Sequence, residues 1–325
     1  MSKSDRVKAY FKNPALSQSE IKGILKGPHL VKLLEKNPNY FEESEAMLIG
    51  SLVDDMFTYD TEELMELYYV GDIENKPSDT MVSIIRKVFD NRINNDLSDC
   101  NNNQLILDSA NEHGHGKGKY KDERIISDVL KAEGYWNDLL KIGTKTLVSV
   151  YEYNLACKIN NSIREHEYTK EIFDNPHKFQ VDLYFKTEEF ECKALLDLIT
   201  YDEKRNAICP FDFKVTGFNT LFHIPFNKFK YGIQSEFYTE AIYANRDHIS
   251  NLFNIDNTFT VDPFKFIVES FNNPGIPLVY ELKLETIVDA QLMIKEGIEL
   301  YRWHSVNNIW DTTKEIFNSK GQLSI

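Results

Sequence analysis

Residues 191–214 read ECKALLDLITYDEKRNAICPFDFK, and this stretch decides the fold. Two apolar runs flank a polar segment, the pattern of two strands joined by a turn. Asp197 lies in the first run and Asp212-Phe213-Lys214 in the second. Strand side chains alternate, so Asp212 and Lys214 share one face while Phe211, Phe213 and Val215 share the other. Two acids and a lysine on adjacent apolar strands are costly unless each charge finds a partner or a metal. One reading is a surface hairpin with an exposed Asp212–Lys214 ion pair. The other is a pocket for phosphodiester hydrolysis. There, two carboxylates offer the hard oxygen ligands that Mg2+ or Mn2+ prefers. The metal would polarise the phosphate and acidify a bound water, while Lys214 orients that water or neutralises developing charge.

Working outward, residues 228–245, KFKYGIQSEFYTEAIYAN, predict a helix. Lys230, Gln234 and Tyr238 fall at i, i+4 and i+8 on one face, with Phe237, Ala241 and Ala244 on the more apolar side. By itself this is an ordinary amphipathic helix. Upstream, Ser17 or Ser19 reads as a helix N-cap, with Glu20 placed as in a capping box after Ser17.

The set Asp197…Asp212-Phe213-Lys214…Gln234-Ser-Glu-Phe-Tyr238 resembles the core of the PD-(D/E)XK nucleases, in the RecB-like branch with its trailing Q-x-x-x-Y motif. Within that branch it looks most like phage exonucleases of the RecE (exodeoxyribonuclease VIII) type. Glu191-Cys-Lys-Ala-Leu-Leu-Asp197 and Asp212-Phe-Lys-Val-Thr216 are similar to their "ecKarlDli…DlKTt" segment. Asn13-Pro-Ala-Leu-Ser-Gln-Ser-Glu20 with Gly27-Pro28 resembles their "lS.S.l..l..sp" opening, and Leu48-Ile-Gly50-Ser-Leu-Val-Asp54-Asp55 their "lGtavH" motif. The resemblance spans roughly the whole chain, though only the central motifs are specific.

The resemblance implies an α/β fold, a mixed central sheet flanked by helices with a restriction-endonuclease-like core and a helical N-terminal elaboration. It implies an exonuclease that degrades one strand of duplex DNA from an end for a single-strand annealing partner. Asp197, Asp212 and the main-chain carbonyl of Phe213 would hold Mg2+ or Mn2+, with Asp54 completing the outer part of the site. Lys214 would position the attacking water, Gln234 would hold the DNA backbone or the hairpin, and Tyr238 would brace that helix. Relatives often form homo-oligomeric rings around DNA. Three departures stand out: Asp54 replaces a histidine, Gln180 replaces a glutamate, and Leu195 replaces an arginine. Asp182, two residues beyond Gln180, is a candidate substitute ligand.

Composition bounds the rest. The chain has 325 residues, 42% hydrophobic, enough for a large core in one elaborated domain. We expect a single nuclease domain over 1–325, with 1–170 mainly a helical elaboration and 171–325 the sheet core and C-terminal helices. No long apolar run predicts a membrane span, and the polar N-terminus lacks an apolar leader, so a cytoplasmic protein is expected. Cys100, Cys157, Cys192 and Cys209 lack C-x-x-C spacing, and no cysteine follows Cys209, so no iron–sulfur cluster is expected.

A net charge of −14 argues against tight nucleic-acid binding but not against cleavage along a local basic track. Lys193, Lys228 and Lys230 are candidate DNA contacts, with a further cluster at Lys117, Lys119 and Lys121. His113-Gly-His-Gly-Lys117 reads as a glycine-containing connector or, with further ligands, a metal site.

Periodicity predicts helices over 17–37, 44–57, 80–96, 122–140, 144–167 and 285–304, with helix passing into strand over 62–70. Strands are expected over 178–216, 258–271 and 278–284. Rival readings within the same fold are a nuclease in a helicase or spacer-acquisition complex, or an endonuclease. In a different class stands a non-catalytic DNA-binding or scaffold descendant, encouraged by Gln180 and Leu195.

Overall fold

The computed structural model describes residues 3–37, 44–74, 76–116, 118 and 120–322. The chain forms two compact units: residues 1–58 with 158–325, and residues 59–157. The expected helical elaboration over 1–170 is therefore drawn differently. Residues 1–58 belong with the sheet, and the elaboration is an insertion between two parts of the sheet-bearing unit.

The first unit opens with α1 (Lys3–Lys12), α2 (Gln18–Lys26), α3 (Pro28–Lys36) and α4 (Glu45–Thr58). The single helix expected over 17–37 is two, because Pro28 starts a new helix at its first position, where its missing N–H costs nothing. The capping box holds: the Ser17 amide donates to Glu20 Oε2 at 2.7 Å.

The inserted unit carries α5 (Thr61–Leu67), β1 (Tyr68–Val70), α6 (Asp79–Asp90), α7 (Asn103–Glu112), α8 (Asp122–Leu130), α9 (Glu133–Lys141) and β2 (Thr146–Val148), with β1 and β2 parallel. Its core gathers Ile84, Ile85, Ile106, Val129, Tyr135 and Trp136. Lys117 and Lys119 of the predicted basic cluster lie outside the described residues. The helix expected over 144–167 begins only at Val150, as α10 (Val150–Glu165), because Leu147 and Val148 pair as strand first.

After α11 (Lys170–Asp174), the chain enters the sheet as β3 (His177–Lys186), β4 (Glu191–Asp202) and β5 (Ala207–Thr216). It then passes through α12 (His223–Lys228), α13 (Tyr231–Ala244) and α14 (Arg246–Phe253), and returns as β6 (Thr260–Val261), β7 (Lys265–Ser270) and β8 (Leu278–Glu281). α15 (Leu284–Asn307) and α16 (Lys314–Asn318) close the chain. The sheet order is β3-β4-β5-β7-β8, with β6 beside β5. The β5–β7 pair is parallel and its flanking pairs antiparallel, so the sheet is mixed. This is the expected α/β class.

Both faces of the sheet are covered, which is why β4 and β5 read as near-continuous apolar runs. On one face Ile233, Phe237 and Ala241 of α13 pack with Val181, Leu183, Ala194 and Leu196. On the other, Phe57 of α4 stacks on Phe213 with ring centres 4.2 Å apart and planes within 7°. Phe179 and Phe173 extend that stack. α15 lies close to its neighbours through glycines: a Cβ at Gly297 would meet the Ile21 side chain at 2.6 Å, and one at Gly232 would meet Ala290 at 3.3 Å. Among the described residues no helix is long and apolar enough to cross a membrane.

Candidate active site

The β4–β5 ladder runs from Asp202↔Ala207 to Leu198↔Phe211 and stops. Beyond that point β5 pairs only with β7, through Phe211–Thr216, and β4 pairs with β3. The freed side of β4 is taken by Leu16, whose amide donates to the Glu191 carbonyl and whose carbonyl accepts from the Lys193 amide, both at 2.9 Å. The sheet thus forks, and the first residue past the last rung on each prong is Asp197 or Asp212.

Local backbone turns Asp197 into that fork. Opposite it on β3 stands Gln180, at φ 49°, a left-handed conformation costing a non-glycine residue roughly 1–2 kcal/mol. Alternation would place Phe179 on the face of Val181; instead Phe179 joins the Phe57 stack on the other face. β4 makes the matching change, since both Leu196 and Ile199 lie in the α13-side core. The Gln180 carbonyl accepts from Arg6 Nη2 at 2.9 Å, and its side-chain amide stands 3.4 Å from Asp197 Oδ1.

The fork gathers the predicted residues. Asp197 Oδ2 accepts from the Phe213 amide at 3.2 Å and its carboxyl meets that of Asp212. Lys214 Nζ pairs with Asp212 Oδ2 and lies 3.3 Å from the Phe213 carbonyl oxygen. Gln234 Nε2 donates to Asp212 Oδ1 at 2.5 Å. Tyr238, one turn along α13, is buried beside Tyr10 and Gln18 and feels both carboxylates. Asp54, one turn before Phe57 on α4, faces Lys214 and Asp212.

Electrostatics follow from that crowding. Burial first, and then the neighbouring carboxylate of Asp212, raise the carboxyls of both Asp54 and Asp197 well above the ordinary range, against the opposing pull of Lys214. Burial tends to lower the Lys214 amine, but the charges of Asp212 and Asp197 outweigh it and hold the ammonium above its usual range. The fork therefore gathers more carboxyl groups than its one lysine can pair, and two of them hold their protons to higher pH than usual.

Which residues could hold a divalent cation follows from donor chemistry. Asp197, Asp212 and the Phe213 carbonyl are hard oxygens turned toward one space, and Mg2+ is commonly held by one or two carboxylates with water and substrate oxygens completing its shell. Among the described residues no three His, Cys, Asp or Glu side chains converge as a metal cluster. Asp54 faces Lys214 and Asp212 from α4. Asp182, the candidate substitute on β3, is ion-paired with Arg6 Nε at 3.1 Å.

The candidate DNA lysines divide. Lys193 is buried, its amine donating to the Tyr10 and Asn13 carbonyls at 3.2 and 2.6 Å, so its charge is engaged inside the fold. Lys228 is exposed near the Phe229 ring, and Lys230 sits 3.6 Å from the Met293 sulfur. Two residues near the fork went unmarked in the sequence. Tyr231 shares the α13 face with Gln234 and Tyr238 at i, i+3 and i+7, a spacing that reveals it once Gln234 is chosen. Lys22 on α2 approaches the Tyr231 ring, and only tertiary packing brings it there.

No family model matches this chain, and no curated protein is similar to it in sequence. Among solved structures, a protein from Eubacterium rectale described as a "Putative exonuclease" is similar along the whole chain. It is 13% identical, covers 100% of this chain and 94% of its own, and superposes with a TM-score of 0.53. At that identity the likeness is one of fold.

Proposed function

We propose that the protein is a metal-dependent deoxyribonuclease that hydrolyses duplex DNA from its ends, a RecE-type member of the PD-(D/E)XK nucleases. The observation that carries this reading is the sheet fork, where Asp197, Asp212, Lys214 and Gln234 meet within hydrogen-bonding distance of one another's neighbours. The fold shared with a protein described as an exonuclease supports it.

In this reading Asp197, Asp212 and the Phe213 carbonyl hold Mg2+ or Mn2+, which supplies Lewis-acid polarisation of the phosphate and a more acidic water. Lys214 holds its ammonium at the mouth of the fork and orients the attacking water. Gln234 fixes the Asp212 carboxylate in one rotamer, and Tyr238 with Phe237 keeps α13 seated. Asp54 adds a nearby carboxyl that, once ionised, would strengthen the attraction of the fork for a cation. Of the candidate lysines Lys193, Lys228 and Lys230, Lys228 is the exposed one and would touch the DNA backbone. A single-strand annealing partner, a ring of copies around DNA and a cytoplasmic setting belong to the same proposal.

A second reading, a DNA-binding descendant without catalysis, draws on two observations: the Lys214 ammonium sits directly on Asp212, and among the described residues no three His, Cys, Asp or Glu side chains converge. One experiment separates the two. Linear duplex DNA is incubated with wild type and Asp212→Ala, in Mg2+ and in Mn2+. The nuclease reading expects cleavage by wild type and a loss of roughly a thousandfold in the variant, the scale of removing a principal charged group from a site. Inert wild type with both metals favours the scaffold. Circular duplex, if cut equally well, makes the enzyme an endonuclease.

A further inference from the structure

Lys22 stands where a second cation has no evident structural task. α2 is fixed from several sides: its N-terminus by the Ser17–Glu20 box, the preceding Leu16 by its bridge to β4, and Ile21 by close packing on Gly297. Ile21 and Ile24 are buried, while Lys22 between them is half-buried and turned toward α13. Its amine lies 5.2 Å from the centre of the Tyr231 ring, and the Lys214 amine lies 4.9 Å from the same centre. Among the described residues Lys214 has Asp212 as ion-pair partner, whereas Lys22 has only that ring.

Two ammoniums on one aromatic ring repel, and the repulsion grows as water is excluded. Burial and then the Lys214 charge push the Lys22 amine down to about 7, against the weaker pull of Asp212. Two amines presented to one ring beside a carboxylate fork form an arrangement that an anion arriving from outside would stabilise.

We propose that Lys22 and Lys214, spaced by the Tyr231 ring, form a phosphate subsite in which Lys22 binds a non-bridging oxygen of the phosphodiester delivered to the fork. The proposal deepens the nuclease reading and rests on it for the identity of the anion. Tyr231 acts as the spacer. Its ring packs against Phe222 and Phe266, with centres 5.8 and 5.9 Å away. A phosphate group contacted by both amines beside the ring would relieve their repulsion and balance their charge.

The test uses the full-length protein and an end-labelled linear duplex. Binding is followed by fluorescence anisotropy with Ca2+ replacing Mg2+, over salt from roughly 50 to 200 mM. Lys22→Met is expected to bind more weakly and to lower the log–log salt slope by about one, the signature of one lost phosphate contact. Lys22→Arg is expected to keep the slope. In Mg2+ the Met variant should lose roughly tenfold or more in kcat/KM with Arg restoring most of it. Its melting temperature should equal or exceed wild type, since a desolvated ammonium is gone; were Met to misfold, Lys22→Gln is read in its place.

Equal slopes and equal affinities for wild type and the Met variant overturn the subsite. Wild type that binds but never cleaves sinks the nuclease reading alone and leaves the slope to decide Lys22. Wild type that does not bind duplex at all overturns both.

Discussion

Two buried carboxylate sites lie one strand apart in the same sheet and behave in opposite ways. Glu269 on β7, fully buried, accepts from the Ser162 hydroxyl, from its neighbour Ser270 N–H at 2.7 Å and from Gly275 N–H at 3.2 Å. Its charge is met by donors built into the fold. The fork on β4 and β5 holds Asp197 and Asp212 with Asp54 nearby, and offers these three carboxyls one lysine, two glutamines and one main-chain amide. The difference teaches how a structural carboxylate is told from a functional one. Burial is common to both, and what separates them is whether donors suffice without an outside cation.

Substitutions can break that contrast. The largest stability effect is expected at Glu269: Glu269→Ala should cost about 3 kcal/mol in denaturant melts by leaving buried donors unpaired, with activity per folded molecule unchanged. Asp212→Ala should instead abolish cleavage per folded molecule, with a smaller fall in the melt, because the Lys214 ammonium and Gln234 amide lose their acceptor while a charge leaves a carboxyl-rich cluster. A Glu269 variant that folds normally but loses cleavage would erase the distinction. Next in size, Gln234→Ala should lower kcat by roughly ten- to a hundredfold, as for residues that orient a metal ligand. Equal turnover by this variant would show that Asp212 needs no amide to hold it.

The smallest effect sharpens the comparison through pH. Asp54 and Asp197 have raised values in the folded state, so between the ordinary carboxylate value and the raised one the folded protein binds more protons than the unfolded chain. Stability from these groups is therefore present at low pH and lost as pH rises through the raised values. On the proposed reading, a divalent cation would replace those protons. About 10 mM Mg2+ should stabilise the protein by roughly 1–2 kcal/mol near pH 8 and by less near pH 5, read as a thermal shift. A shift independent of pH would show that the metal does not bind at the fork.

The legible part of the molecule was the part whose pattern is local. The hairpin at 191–214, its facing residues and the helix bearing Gln234 and Tyr238 formed as their periodicity predicts. Boundaries moved where a pairing or a proline intervened, as at Pro28 and at Leu147–Val148. Lys193 looked like a surface cation, yet it lies inside because Leu16 docks on β4 and brings the Tyr10 and Asn13 carbonyls with it. Asp182, the candidate replacement ligand, is ion-paired with Arg6, from a helix some 170 positions away in the chain.

The sequence alone determined the strand pair, the shared face of Asp212 and Lys214 and the α13 face that meets them, because alternation and helical repeat are properties of the backbone itself. Tertiary structure decided where the sheet splits, which way Asp197 turns, which lysines keep a free charge and that Lys22 stands beside Lys214. Those depend on contacts between residues far apart in the chain, on a left-handed Gln180 and on Leu16 filling the open side of β4. No local pattern encodes them, since each is fixed only when separate segments compete for the same space and the same hydrogen-bonding groups.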